Sequence, residues 1–118
     1  MMLTMLHSKI HRARVTHADL HYNGSLGIDR ELIDMAGMLP GQQIDVLNVA
    51  NGKRFTTYIL AEERGSKKIG VYGAAAHLVQ VGDPVIIIAY AQMEPQEAKN
   101  YRPVVLLMDE KNNVTAHG

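Results

Sequence analysis

Breaks in the chain come too often for long helices. Asn23-Gly24, Pro40-Gly41, Asn51-Gly52, Arg64-Gly65-Ser66, Gly82-Asp83 and Asn112-Asn113 cut it into short pieces, and each is turn-favouring chemistry. Most pieces between them are rich in Val, Ile, Thr and Tyr and read as strands: Gln43 to Val49, Arg54 to Ala61, Ile69 to Tyr72, Pro84 to Gln92 and Pro103 to Met108. Met5 to Val15 alternates loosely and reads as one more. Pro84 and Pro103 stand at strand starts, where a missing N–H is tolerated. Asn51-Gly52 between two strands predicts a tight hairpin. Short helices punctuate the strands. Asp29 caps one through Ala36, with Ile28, Leu32, Ile33 and Ala36 on one face and Gly37 ending it. Gly73 to Leu78 form a turn or two, and Glu94 to Asn100 carry Pro95 at the first helical position. Short strands at regular spacing with few helices predict a mainly β fold, a compact barrel, and not an alternating strand–helix sheet.

The 118 residues suffice for one domain, and 47% of them are apolar, enough for a core. No repeat or linker divides the chain. Twelve basic and twelve acidic residues cancel, which excludes the basic footprint of a nucleic-acid partner. Cysteine is absent, so disulfide scaffolds, Cys-ligated zinc and thiol nucleophiles are excluded. The longest apolar run, Val85 to Ala91, falls short of the roughly 20 residues of a membrane helix. The N-terminal MMLTMLHSKIHRAR carries its charges after its apolar residues, the reverse of a secretory signal. A cytoplasmic protein with no membrane partner is the expectation.

Chemistry has few places to sit. His7, His11, His17 and His21 form two i, i+4 pairs, a spacing that on a helix gives two metal ligands. The segment around His7 and His11 reads as strand, where such partners lie about 13 Å apart, so no metal site is expected. Period two puts His7, Lys9 and His11 on one strand face and Ser8, Ile10 and Arg12 on the other. A face carrying Lys and His is either solvated or lines an anion site. Tyr22-Asn23-Gly24-Ser25 reads as a turn. Arg54, Thr56 and Tyr58 share one strand face, with Phe55 and Thr57 on the other. The small residues of Gly73-Ala74-Ala75-Ala76 allow close backbone approach.

Taken in order, Lys9-Ile10-His11-Arg12, Val15 to Tyr22, Gly24-Ser25, Asn51 to Phe55, Thr57-Tyr58, Glu63 to Ser66, Gly73 to His77 and Val81-Gly82-Asp83 closely resemble the bacterial pyruvoyl-dependent aspartate decarboxylases. Each motif is weak alone; the ordered set is specific and covers nearly the whole chain. The resemblance implies a six-stranded double-psi β-barrel with short helices, assembled as a homotetramer. It implies that the chain cuts itself at Gly24–Ser25 into residues 1–24 and 25–118. In that scheme Ser25 attacks the Gly24 carbonyl, held by Thr57, and an ester then eliminates to leave a covalent pyruvoyl group where Ser25 was. The group forms a Schiff base with L-aspartate and supports its decarboxylation to β-alanine, for pantothenate and coenzyme A.

The resemblance also implies roles. Lys9, His11, Arg54, Gly73, Ala74 and Ala75 line the substrate site, Arg54 gripping a carboxylate as a bidentate fork, and Tyr58 donates the proton that replaces carbon dioxide. The family usually has Asn where this chain has Tyr72. A ring there is expected to crowd the Ser25 hydroxyl, so that Tyr72→Asn speeds cleavage. The competing readings are a non-enzymatic barrel module, an unprocessed inactive homologue, and a metal enzyme built on the histidines.

Overall fold

The computed structural model describes residues 1–118. Its strands are β1 (Leu3–Arg14), β2 (His17–Asp19), β3 (Ser25–Asp29), β4 (Gln43–Asn48), β5 (Arg54–Glu62), β6 (Ile69–Tyr72), β7 (Pro84–Met93), β8 (Val104–Met108) and β9 (Val114–His117). They form one sheet in the order β2-β6-β3-β5-β4-β7-β1-β8-β9. The nine strands exceed by three the six barrel strands that the resemblance implies; two of the three are short pieces, β2 and β9, which extend the sheet at its two ends. Helices α1 (Arg30–Ala36) and α2 (Pro95–Asn100) and a 3-10 helix, Gly73–Leu78, fall where the sequence places them. No helix is long and apolar enough to cross a membrane.

Alternation builds the core. Ile10 on β1, Leu26 and Ile28 on β3, Val46 on β4, Val71 on β6 and Ile87 on β7 are fully buried on one side of the sheet, each worth about 1.5–3 kcal/mol of burial. Two places depart from simple period two. Ser8 and Ile10 are buried as expected, but Arg12 is not on their face. Its φ is 67°, and the register against β7 slips between His11 and Ala13. This bulge turns Arg12 to solvent and lets Ala13 take the core position. A second slip, between Leu6 and Ser8, leaves His7 without a partner on β7.

The other departure is β3 itself. The sequence pattern assigns Ser25 to a turn and Ile28 to a helical face. In the structure Ser25 opens a strand, and Ile28 pairs with Ile69 inside the sheet. The β4–β5 hairpin turns on four residues, 49–52, and not on Asn51-Gly52 alone: the Asn48 N–H donates to the Lys53 carbonyl at 2.7 Å, and Gly52 has φ 74°.

Asp29 joins strand to helix. It is 2% exposed, and its carboxylate accepts the N–H of Glu31 and of Gly65 on Oδ1 and that of Lys67 on Oδ2, each at 2.9 Å. The first is the N-cap of α1; the others tie down the loop before β6. Asp29→Ala strands three donors, and we expect a loss of about 2–4 kcal/mol, read as a lowered denaturant midpoint. Wild-type stability in that variant would remove the cap from this account.

Candidate active site

The site is built around the start of β3. That strand lies between β5, parallel to it, and β6, antiparallel. Ser25 faces Tyr72 on β6. On the other side Leu26 pairs with Ile59. Continued toward the turn, that register sets Tyr58 level with Ser25 and Thr57 level with Gly24. Ser25 is 3% exposed, and its Oγ donates to the Asn23 carbonyl at 3.3 Å. Gly24 beside it is exposed. The turn is seated on Gly73, whose φ is 76° and whose missing Cβ would lie 2.7 Å from the Gly24 Cα and 3.2 Å from the Tyr22 carbonyl oxygen. Only glycine both takes that backbone conformation and leaves that room.

The charged candidates share one face. Arg54, Leu47, Ile86 and His11 form a row across β5, β4, β7 and β1, and Thr56, Asp45, Ile88 and Lys9 form the next. Both rows lie opposite the core face of Ile10, Val46 and Ile87. Tyr58, 44% exposed, stands on that outer side of β5 with Arg54, as period two predicts. Thr57 lies on the inner side and is half-buried. Lys9 and His11 are not brought to Ser25: β1 is four strands from β3 in the sheet order. His11 is half-buried with an unpartnered Nδ1. Burial, then the charges of Lys9 and Arg12, hold its pKa below the usual value, so it presents a neutral imidazole at pH 7. Gly73 is buried, Ala75 half-buried and Ala74 exposed, all opening the 3-10 helix after Tyr72.

A cleft of about 480 Å³ opens beside the turn, lined among others by Asp19, Tyr22, Leu60, Glu62, Lys68 and Tyr72. None of Lys9, Arg54 or Tyr58 lines it, so its size alone does not mark it as the substrate site. It does expose residues that sequence reasoning missed. Tyr22 packs on Tyr72 with ring centroids 5.2 Å apart and the rings tilted by 40°, and Tyr72 Oη donates to Glu62 Oε2 at 2.5 Å. The phenol end of Tyr72 is therefore tied away from Ser25 Oγ. Burial, then Glu62, raise the phenol's pKa, which keeps it a proton donor. Glu62 closes an ordinary strand and carries no signal in the sequence. Tyr72 draws notice only by departing from the family's usual Asn.

Comparison with known proteins gives the family. The family model for aspartate decarboxylase matches residues 1–115. An aspartate 1-decarboxylase of Maricaulis maris is 57% identical over 116 residues, covering 98% of this chain and 96% of the relative. That of Caulobacter vibrioides is 60% identical over 112 residues, 95% of each chain. Among solved structures, a rationally designed double-psi barrel protein, mkDPBB_sym_86, superposes with a TM-score of 0.51 at 16% identity, over 67% of this chain and 92% of its own. That likeness bears on the fold alone, and it places the mainly β sheet in the double-psi barrel class. With a match along almost the full length and relatives at this identity, the chain belongs to the aspartate decarboxylase family.

Proposed function

We propose that the chain cleaves itself between Gly24 and Ser25 and that the processed enzyme decarboxylates L-aspartate to β-alanine. What carries the reading is a buried serine, Ser25, directly after an exposed glycine, in a turn seated on Gly73, within a chain of this family. Ser25 Oγ adds to the Gly24 carbonyl carbon, and the amide nitrogen leaves with a proton, giving an ester. Loss of the Ser25 α-proton and of the Gly24 carboxylate then opens the chain, and water replaces the nitrogen as ammonia. Thr57, level with Gly24, is placed to hold the carbonyl oxygen as charge develops on it. Gly24 supplies the unshielded carbonyl.

The residues at the site fit a group made from Ser25. The only hydrogen bond of the hydroxyl goes to main chain, so no side chain loses a partner when it is converted. A pyruvoyl group there supplies a ketone conjugated to an amide carbonyl, the electron sink that decarboxylation needs. The chain's own side chains bind and deliver. Arg54 takes one substrate carboxylate as a bidentate pair, Lys9 adds a second positive charge, and neutral His11 lines the pocket. The backbone at Gly73, Ala74 and Ala75 closes it. Tyr58, on the face of Ser25, gives its hydroxyl proton to the substrate carbon that has lost carbon dioxide.

Arg54 stands four residues, about 13 Å, along β5 from the position level with Ser25, and Lys9 and His11 lie on β1, four strands from β3, too far for one small dicarboxylate to span within one chain. A second copy laid on this face brings Lys9, His11 and Arg54 of one subunit to the Ser25 of another. Exposed Leu60, Tyr90 and Leu107 supply apolar area for that contact, and closed symmetry makes a homotetramer the reading we adopt. Light scattering at micromolar concentration is expected to report four chains; a monomer would refute the shared site. The main test is intact mass after prolonged warm incubation. Two chains are expected, residues 1–24 and 25–118, the longer with a blocked N-terminus, and a single persistent chain would reject the proposal.

A further inference from the structure

Between Ser25 and Asp29 the outer side of β3 is bare, because Gly27 stands there. Gly27 on β3 and Gly70 on β6 are cross-strand partners, and neither has a Cβ. Over this strip two side chains meet, Glu62 from the end of β5 and Tyr72 from the end of β6. A Cβ on Gly27 would overlap the Glu62 carboxylate, and one on Gly70 would overlap the Tyr72 phenol. The two glycines thus make the space in which Tyr72 Oη reaches Glu62 Oε2 at 2.5 Å. Glu62 is itself steadied: its Oε1 lies 3.7 Å from Lys68 Nζ, and its side chain is 15% exposed. The result is a bridge laid across β3, joining the strands on either side of it.

The same tyrosine holds both ends of the turn that is cut. It is 7% exposed, its backbone pairs with Ser25, and its ring packs on Tyr22. Its carbonyl oxygen lies 3.8 Å from where a Cβ on Gly24 would stand. Tying the phenol to Glu62 fixes the ring, and the fixed ring sets where Tyr22 and the turn rest. We infer that Glu62 and Tyr72 form a clamp that positions the Tyr22–Ser25 turn and sets the rate of its self-cleavage. The inference rests on the self-cleavage reading and adds to it two positioning residues that touch no reacting atom. Its physical basis is that a misplacement of about 1 Å costs about 10²-fold in rate, while a hydrogen bond to a charged group is among the stronger ones available.

The test is the rate of precursor cleavage, followed by intact mass below the melting temperature of every variant compared. Tyr72→Phe keeps the ring and Glu62→Ala keeps the phenol, and each is expected to slow cleavage about 10- to 100-fold. The double variant should be no slower than the slower single, because both remove one interaction. Glu62→Gln retains an acceptor and should recover most of the loss seen with Ala. Gly27→Ala, which wedges a methyl group under Glu62, should slow cleavage with both clamp residues intact. Tyr72→Asn should slow it too; acceleration would show the ring to be an obstruction and overturn the clamp. Wild-type rates in Tyr72→Phe and Glu62→Ala, additive losses in the double variant, or no recovery with Gln would also overturn it while leaving self-cleavage standing. A wild-type chain that never cleaves would instead overturn the self-cleavage reading, and the clamp with it.

Discussion

A Ser25→Ala chain is expected to stay whole through incubation that splits the unaltered protein, and to release no carbon dioxide from aspartate. The substitution removes the hydroxyl on the residue that follows the Gly24 carbonyl and disturbs little else. The hydroxyl makes a single hydrogen bond, to the Asn23 carbonyl at 3.3 Å, worth about 1 kcal/mol of stability. A folded, uncut and inactive chain is therefore the predicted product, and mass spectrometry beside a thermal melt reads both properties. Cleavage at the same bond without the hydroxyl would disprove the mechanism. In the proposed mechanism both the missing cut and the missing activity follow from one atom, because the serine that would open the chain would also be the source of the reactive group.

Tyr58→Phe should separate the two stages. The phenol is 44% exposed and stands on the outer side of β5, level with Ser25. Removing its oxygen leaves the ring and the strand in place, so the precursor should still divide into its two chains. Turnover should then fall about 10²- to 10⁴-fold, the range for proton transfer by a placed side chain, with KM little changed. Arg54→Ala on the same face should do the reverse, raising KM more than it lowers kcat, since a lost carboxylate fork weakens substrate binding. Full turnover in Tyr58→Phe would strip that residue of its role, and an unchanged KM in Arg54→Ala would do the same for the fork.

Local chemistry was readable wherever a few neighbouring residues settle the outcome. Asp29 caps α1 and Gly37 ends it in a left-handed conformation, φ 72°, because cap and terminator act within one turn of the chain. Ile69–Tyr72 is a strand with the bounds that its Ile, Val and Tyr predict. The alternation of β5 correctly sets Arg54 and Tyr58 on one side. The proposed site residues rest on resemblance and not on pattern, since no single motif among them is specific.

Partners distant in sequence decided the remainder. Ser25 to Asp29 hold two polar residues and a glycine and look like a turn and a cap. They become a central strand because β5 and β6 flank them and bury Leu26 and Ile28 to 0% exposure. Arg12 leaves the core face because of a slip against β7, some seventy residues on in the chain. A glycine weakens a strand interior, yet Gly27 and Gly70, as cross-strand partners, open the space that Glu62 and Tyr72 fill. Strand periodicity assigns a side chain to a face from its own neighbours, and that much is written along the chain. Which side chain stands across from it depends on register, and register is set by the packing of whole strands against one core.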